Sequence, residues 1–353
     1  MTTLQHLLRT SLPIIQAPMA GVQGHALAAA VSNAGGLGSL PGAMWSLEAL
    51  RAELMALTAQ TTQPFNVNFF CHAPPMADAV RAAAWQAALA PYHAEFGIDV
   101  GALAAGPGRL PFTQDAADVL AEFKPPVVSF HFGLPSADLV QRVKTWGAVV
   151  LGSATTLDEA LWLEAHGADA VIAQGLEAGG HRGIFLSDDM ARDIGTQVGT
   201  FALLPQLTQA LRIPVIAAGG IADARGVAAA MAFGAAGVQV GTAYLLCPEA
   251  TTSAVHRAAL QSDAARTTAL TTLFTGRPAR GIVNRLMREL GPMNPVVPAF
   301  PLATALIAPL RAHAEALGRG DFSPLWSGQN ASGCRAVPAA QLTRELAAGL
   351  PAR

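Results

Sequence analysis

Short apolar runs recur through the first 250 residues and alternate with longer stretches whose apolar positions are spaced for helices. The runs cover Leu12 to Ala17, Leu37 to Leu40, Phe65 to Phe70, Val127 to Phe130, Ala148 to Gly152, Ala168 to Ala173, Val215 to Ala218 and Gly237 to Val240. Most lack a polar face, as strands covered on both sides do. Phe65 to Phe70 instead alternates, with asparagine at 66 and 68. The intervening pattern predicts helices over His25 to Asn33, Ser46 to Ala59, Ser136 to Trp146, Thr156 to His166, Gln197 to Leu211 and Asp223 to Phe233. Ser46, Ser136 and Asp223 stand where N-caps belong.

Eight such strands alternating with helices predict an α/β fold, a closed TIM (β/α)8 barrel. A doubly wound open sheet is the alternative, but no G-x-G-x-x-G opens a helix with an acidic residue about 20 positions later. Residues 74–126 exceed a plain crossover and read as an insertion of two helices joined near Gly106 to Pro111. After Thr251 the repeat stops. The expected division is a barrel over 1–250 and a mainly helical extension over 251–353, packed over one barrel end and completing the site.

In barrels of this kind the loops beyond the C-terminal strand ends carry the site. The run ending in Gln174 opens the loop GLEAGGHRG, in which glycines at 175, 179, 180 and 183 surround His181 and Arg182. Such a loop lets a flat or anionic ligand approach the backbone. Gly219, Gly220, Gly241 and Thr242 follow the last two strands and suit a phosphate. Asn68 and Gln174 offer amides to the edge of a heteroaromatic ring, with Pro18 to Gly21 as a side-chain-poor wall. Together they describe a flavin mononucleotide pocket. Arg182 is open to two readings, attraction of an anionic group of the ligand or pairing with a local carboxylate.

Charge narrows the partners: 22 basic against 24 acidic residues leave a net −2, with no electrostatic case for nucleic acid or an anionic membrane. At 52% hydrophobic and 13% charged, membrane segments need excluding. The uncharged stretches Thr10 to Leu47 and Gly226 to Pro248 are both broken by polar residues and glycines, short of the roughly 20 apolar residues a crossing needs. The N-terminal MTTLQHLLRTS lacks a basic start and apolar core, and three scattered cysteines suit reduced thiols, so a cytoplasmic location with no metal site is expected.

The segments PIIQAPMAG (13–21), FNVNFF (65–70), SFHFGLP (129–135), GADAVIAQGLEAGGHRG (167–183), PVIAAGGIAD (214–223) and GVQVGTAYL (237–245) resemble the nitronate monooxygenases, formerly 2-nitropropane dioxygenases. SFHFGLP favours their class I branch. The resemblance implies FMN held by Asn68, Gln174, Gly179, Gly180, Gly219, Gly220, Gln239, Val240, Gly241 and Thr242, with Met19 and Gly21 lining it and Gln329 capping it. It implies His181 as catalytic base and His131 as a second active-site histidine. The implied reaction oxidises alkyl nitronates, such as propionate 3-nitronate, with O2 to carbonyl compounds and nitrite through a flavin semiquinone. A monomer or homodimer is expected. With only Tyr92 and Tyr244 present, several aromatic pocket positions of class I find no match. Two alternatives stay open: an NAD(P)H-dependent FMN reductase of enoyl thioesters or quinones, whose relatives share EAGGH and AAGGI, and a non-catalytic flavin-binding barrel.

Overall fold

The computed structural model describes residues 3–102 and 109–351, so part of the Gly106 to Pro111 link lies outside the described residues. The barrel strands are β1 (Ile14–Gln16), β2 (Gly38–Pro41), β3 (Phe65–Phe70), β4 (Val127–His131), β5 (Val149–Ala154), β6 (Ala170–Gln174), β8 (Val215–Ala218) and β9 (Gly237–Val240). Their ends move by one or two residues at most from the sequence pattern. All pair in parallel in the order β1-β9-β8-β6-β5-β4-β3-β2. The ring closes where Ile15 bridges Leu37, with Gln16 N–H donating to Leu37 O at 2.9 Å.

Alternation sorts the barrel interior into two layers. Toward the N-terminal end Ile15, Leu37, Val127, Leu151 and Ile216 pack under the N-terminal helix Leu4–Leu8. Toward the C-terminal end the interior turns polar. Asn66 donates to Ser39 Oγ (3.1 Å) and Ser129 Oγ (2.9 Å), and Asn68 donates to Ser129 O and Oγ. The asparagines of FNVNFF thus bond inward-facing serines of neighbouring strands. Helix starts follow their caps: Ser46 accepts from Ala49 N–H and Asp223 from Gly226 N–H. Ser136 occupies the N-cap of Ala137–Lys144 without making the side-chain bond.

Residues 251–353 are mainly helical, as expected, with two short strands that the sequence pattern did not indicate. They contribute β10 (Thr268–Thr271) and β11 (Ala279–Ile282), an antiparallel pair that adds β7 (Gly180–His181) as a third strand. The glycine loop is therefore stitched to the extension by backbone pairing. Helix Ala339–Ala347 returns to pack against His25–Asn33 and Ala224–Ala232, where the helix following an eighth strand belongs. Its Ala339, Leu342 and Leu346 join Leu27, Val31 and Val227 in one core. The inserted helix Ala79–Glu95 buries Trp85 and Leu89 against Ile307, Leu310 and Phe322 of the extension. Each fully buried leucine or phenylalanine there contributes about 1.5–3 kcal/mol.

Candidate active site

One large cavity opens at the C-terminal ends of the barrel strands, between barrel, insertion and extension. Met19 and Gly21 from the loop after β1 line it, with Asn68 of β3, Gln174 of β6 and Gln239 of β9. Gly179 and Gly180, Gly219 and Gly220, and Gly241 and Thr242 line it too, as do His131 and His181. Two expected residues stand apart. The Val240 side chain is buried in the barrel wall, and its carbonyl accepts from Ala17 N–H at 2.8 Å. Gln329 is exposed, and its neighbours Gly328 and Asn330 line the cavity instead. The reason is backbone: Gln329 N–H donates to Glu177 O at 2.9 Å, which fixes that strap with its side chain outward.

The glycine loop is held from beneath. Arg182 is fully buried, and its guanidinium donates to Gly175 O (2.6 Å), Gln174 O (2.8 Å) and Gln197 Oε1 (2.8 and 3.0 Å). Neither sequence reading of Arg182 holds, because its donors are spent on loop carbonyls and one amide. Glu177, the acid of the loop, caps helix Thr200–Ala210 by accepting from Thr200 N–H (2.8 Å) and Oγ1–H (2.9 Å). Gly179 has no room for a side chain: a Cβ there would stand 2.5 Å from Gly328 N. Gly219 and Gly220 both take left-handed φ, +118° and +73°, which shapes the turn after β8.

The two histidines differ in what their nitrogens do. His131 Nε2 faces the His181 carbonyl at 3.1 Å and must donate to it, so Nδ1 accepts from Ser153 Oγ–H. Both nitrogens are engaged, and burial pushes the ring down to about 3, with Arg277 and Arg182 adding to the burial effect and the bond to His181 O opposing it. His181 Nε2 lies 2.9 Å from Thr275 Oγ1, which also lies 3.4 Å from Arg277 O. His181 Nδ1 makes no hydrogen bond among the described residues, and its lone pair is free in the tautomer that donates through Nε2 to Thr275. Its ring is partly open to the cavity, yet burial holds it well below the usual histidine range, and Arg109, His131, Arg277 and His72 lower it further. Gln174 clamps the same loop, donating to His181 O (2.9 Å) and accepting from Gly183 N–H (2.7 Å).

Several site residues carry no periodic signal. Phe70, Phe132 and Phe300 form an aromatic cluster around His181, with Phe300 5.5 Å and Phe132 6.0 Å from it by ring centroids. His72 is buried there too, 4.8 Å from Phe300. His131 ends β4 and His72 lies two residues beyond β3, so position at a C-terminal strand end is the signal that could have found His72. His256 also lines the cavity. Arg109 of the insertion lines the cavity near Phe300, its guanidinium carbon 5.4 Å from that ring. Among the described residues no group of three or more His, Cys, Asp or Glu could hold a metal ion, and no helix is long and apolar enough to cross a membrane.

The nitronate monooxygenase family profile matches residues 1–349. A nitronate monooxygenase from Pseudomonas aeruginosa is 46% identical over 96% of this chain and 96% of its own length, and one from Paraburkholderia phytofirmans 45% over 96% and 92%. Among solved structures, a nitroalkane oxidase from Streptomyces ansochromogenes superposes with a TM-score of 0.89 at 40% identity, covering 98% of this chain and 97% of that one. FabK from Thermotoga maritima gives 0.70 at 30% identity, covering 98% and 95%. With a barrel whose polar end layer, glycine loop and paired histidines converge on one cavity, and with relatives matched along nearly its whole length, the chain is an oxidoreductase that belongs to the nitronate monooxygenase family.

Proposed function

We propose that the chain is an FMN-dependent monooxygenase that converts an alkyl nitronate and O2 to a carbonyl compound and nitrite. The observation that supports this most is Gln239 Oε1, a buried acceptor in the cavity wall with no donor. Buried acceptors are normally satisfied, so this one calls for a ligand N–H. The edge of an isoalloxazine carries an N–H between two carbonyls, and that N–H suits the Gln239 acceptor. The glycine pair after β8 and Gly241–Thr242 after β9 suit the phosphate of the same cofactor. FMN, when bound, supplies the electron acceptor for the substrate and passes electrons to O2.

The residues of the chain supply orientation and proton handling. His181 presents the Nδ1 lone pair to the cavity and serves as the base for a neutral nitroalkane. Its depressed basicity makes that abstraction unfavourable, so preformed nitronates, which need no proton removed, are the better substrates. His131 acts through its bond to the His181 carbonyl, as a positioning residue. His181→Asn is expected to keep yellow FMN while losing most turnover with neutral nitroalkane and less with nitronate. Equal losses on the two substrates remove the proton-abstraction role. The likeness to FabK favours one rival, an NAD(P)H-dependent FMN reductase. Anaerobic mixing separates them: bleaching by nitronate and not by NADH or NADPH supports the monooxygenase, and the reverse result supports the reductase.

A further inference from the structure

Arg109 is a charge without a counterpart. Its Nη1 is buried and has no hydrogen-bond partner, and among the described residues no carboxylate lies within ion-pair distance of it. The stretch 103–108 just before it, LAAGPG, carries no ionisable side chain that could serve. Burial lowers the guanidinium to about 10, so it is still cationic at neutral pH. The other cation lining the cavity, Arg311, is already paired with Glu315 at 2.7 Å. His131, His181 and His256 are all held below the ordinary histidine range and are neutral at pH 7. Arg109 is thus the uncompensated charge among the described cavity-lining side chains.

Its position is built. His72 Nε2 donates to Arg109 O at 3.0 Å, and Phe112 N–H donates to Phe70 O at 2.8 Å, so the main chain on both sides is tied to the β3 end. The guanidinium sits over Phe300, the ring that also touches His181. These contacts assign it to the histidine end of the cavity, whereas the glycine turns that suit a phosphate follow β8 and β9. An unpaired buried guanidinium is costly until an anion meets it, and its flat fork matches a planar group with two oxygens sharing one charge.

Resting on the reading of the chain as a nitronate oxidase, we propose that Arg109 is the specificity residue that binds the two oxygens of the ionised nitronate group. It selects the anion over the neutral nitroalkane and holds it beside His181. Arg277, also buried near this cluster with its Nε unpartnered, is not among the cavity-lining residues: it stacks on Phe132 at 3.9 Å and donates to Ile184 O.

The test uses the holoenzyme with ethyl nitronate, neutral nitroethane and a nitronate bearing a remote carboxylate. Arg109→Gln is expected to raise KM for ethyl nitronate about 10- to 100-fold, as loss of a charge-assisted pair does, with kcat within about 3-fold. KM for nitroethane stays within about 3-fold, and Arg109→Lys recovers part of the loss because charge remains without the fork. Independently of turnover, inorganic nitrate, a planar oxyanion, is expected to bind the wild-type protein by calorimetry and R109Q at least about tenfold more weakly. An unchanged KM for ethyl nitronate overturns the proposal, as does an equal rise for nitroethane. So does a loss confined to the carboxylate-bearing substrate, which assigns Arg109 to the remote group, or a loss of FMN with unaltered KM, which assigns it to the cofactor. Should wild-type protein fail to oxidise any nitronate, the proposed function falls while the nitrate titration still decides the role of Arg109.

Discussion

Gly179→Ala tests whether the extension closes directly onto the glycine loop. A methyl at 179 would lie 2.5 Å from Gly328 N and 2.6 Å from Ser327 C, both backbone atoms that cannot rotate away. The strap 327–329 must lift, and two bonds depend on its place: Gly328 N–H to Thr242 Oγ1 and Gln329 N–H to Glu177 O, each 2.9 Å. Overpacking of this kind costs about 1–3 kcal/mol. Each lost bond adds about 1 kcal/mol, so a total of about 2–4 kcal/mol follows once partial relaxation is allowed. Urea unfolding of the apoprotein measures it, and the same series with added FMN measures cofactor affinity through the ligand-dependent shift of the midpoint.

The neighbouring Gly180→Ala is the control. It has φ +71° but no atom within 4 Å of its added Cβ. It should therefore cost only the backbone strain of a left-handed alanine, about 1–2 kcal/mol, and leave the Gly328–Thr242 bond intact. A Gly179→Ala midpoint within about 0.5 kcal/mol of wild type, with unaltered FMN affinity, would refute the close approach of strap and loop.

Three further outcomes are expected. Gln239→Leu removes the orphaned acceptor, so apoprotein stability should hold or rise by about 1 kcal/mol while FMN binds about tenfold more weakly; a loss of apoprotein stability would contradict it. Glu159 is buried and accepts from Thr155 N–H (2.7 Å), Thr155 Oγ1–H (2.6 Å) and Phe185 N–H (2.6 Å), so Glu159→Leu should cost at least about 3 kcal/mol in urea unfolding and loosen proteolytic protection around 183–186. Burial lowers His131 to about 3 and His256 to about 4, and also holds His181 well below 6.5. The unfolded chain therefore takes up protons that the folded one refuses, and stability falls as pH drops below about 6.5. The slope reaches up to about 1.4 kcal/mol per pH unit for each histidine. His256→Gln should flatten that slope, and a stability that rises on acidification would reverse the sign of the argument.

The barrel was legible because its strands are defined locally. Short apolar runs bounded by glycine and proline mark the eight barrel strands, β1 to β6, β8 and β9, without reference to the rest of the chain, and the polar interior layer follows from alternation in FNVNFF. The small strands β10 and β11 were not legible. TALT and ARGI carry no alternation that distinguishes them from loop; they pair with each other, and β11 also takes up Gly180 and His181, about a hundred residues away. The same distance hid the last barrel helix, because nothing local tells Ala339–Ala347 to pack between helices 25–33 and 224–232. Arg109 had no signal either: it follows a loop without periodicity, and its importance lies in the partner it lacks.

Close approach and rigidity make opposite demands on the loop 175–183. Glycine admits a ligand to the backbone but leaves the chain more entropy to lose on folding, so a loop rich in it does not hold its own shape. The structure resolves the conflict with groups that stay out of the cavity. Arg182 grips the carbonyls of Gln174 and Gly175 from inside the protein, Glu177 anchors to the start of helix Thr200–Ala210, and β11 takes up Gly180 and His181 as a strand. Gln174 and His131 then both bind the carbonyl of His181, so the imidazole is positioned through its own main chain rather than by contacts that would consume its free nitrogen. That arrangement explains why the one charged side chain of the GGHRG stretch points inward and why the cation left to meet an anion, Arg109, comes from a different part of the chain.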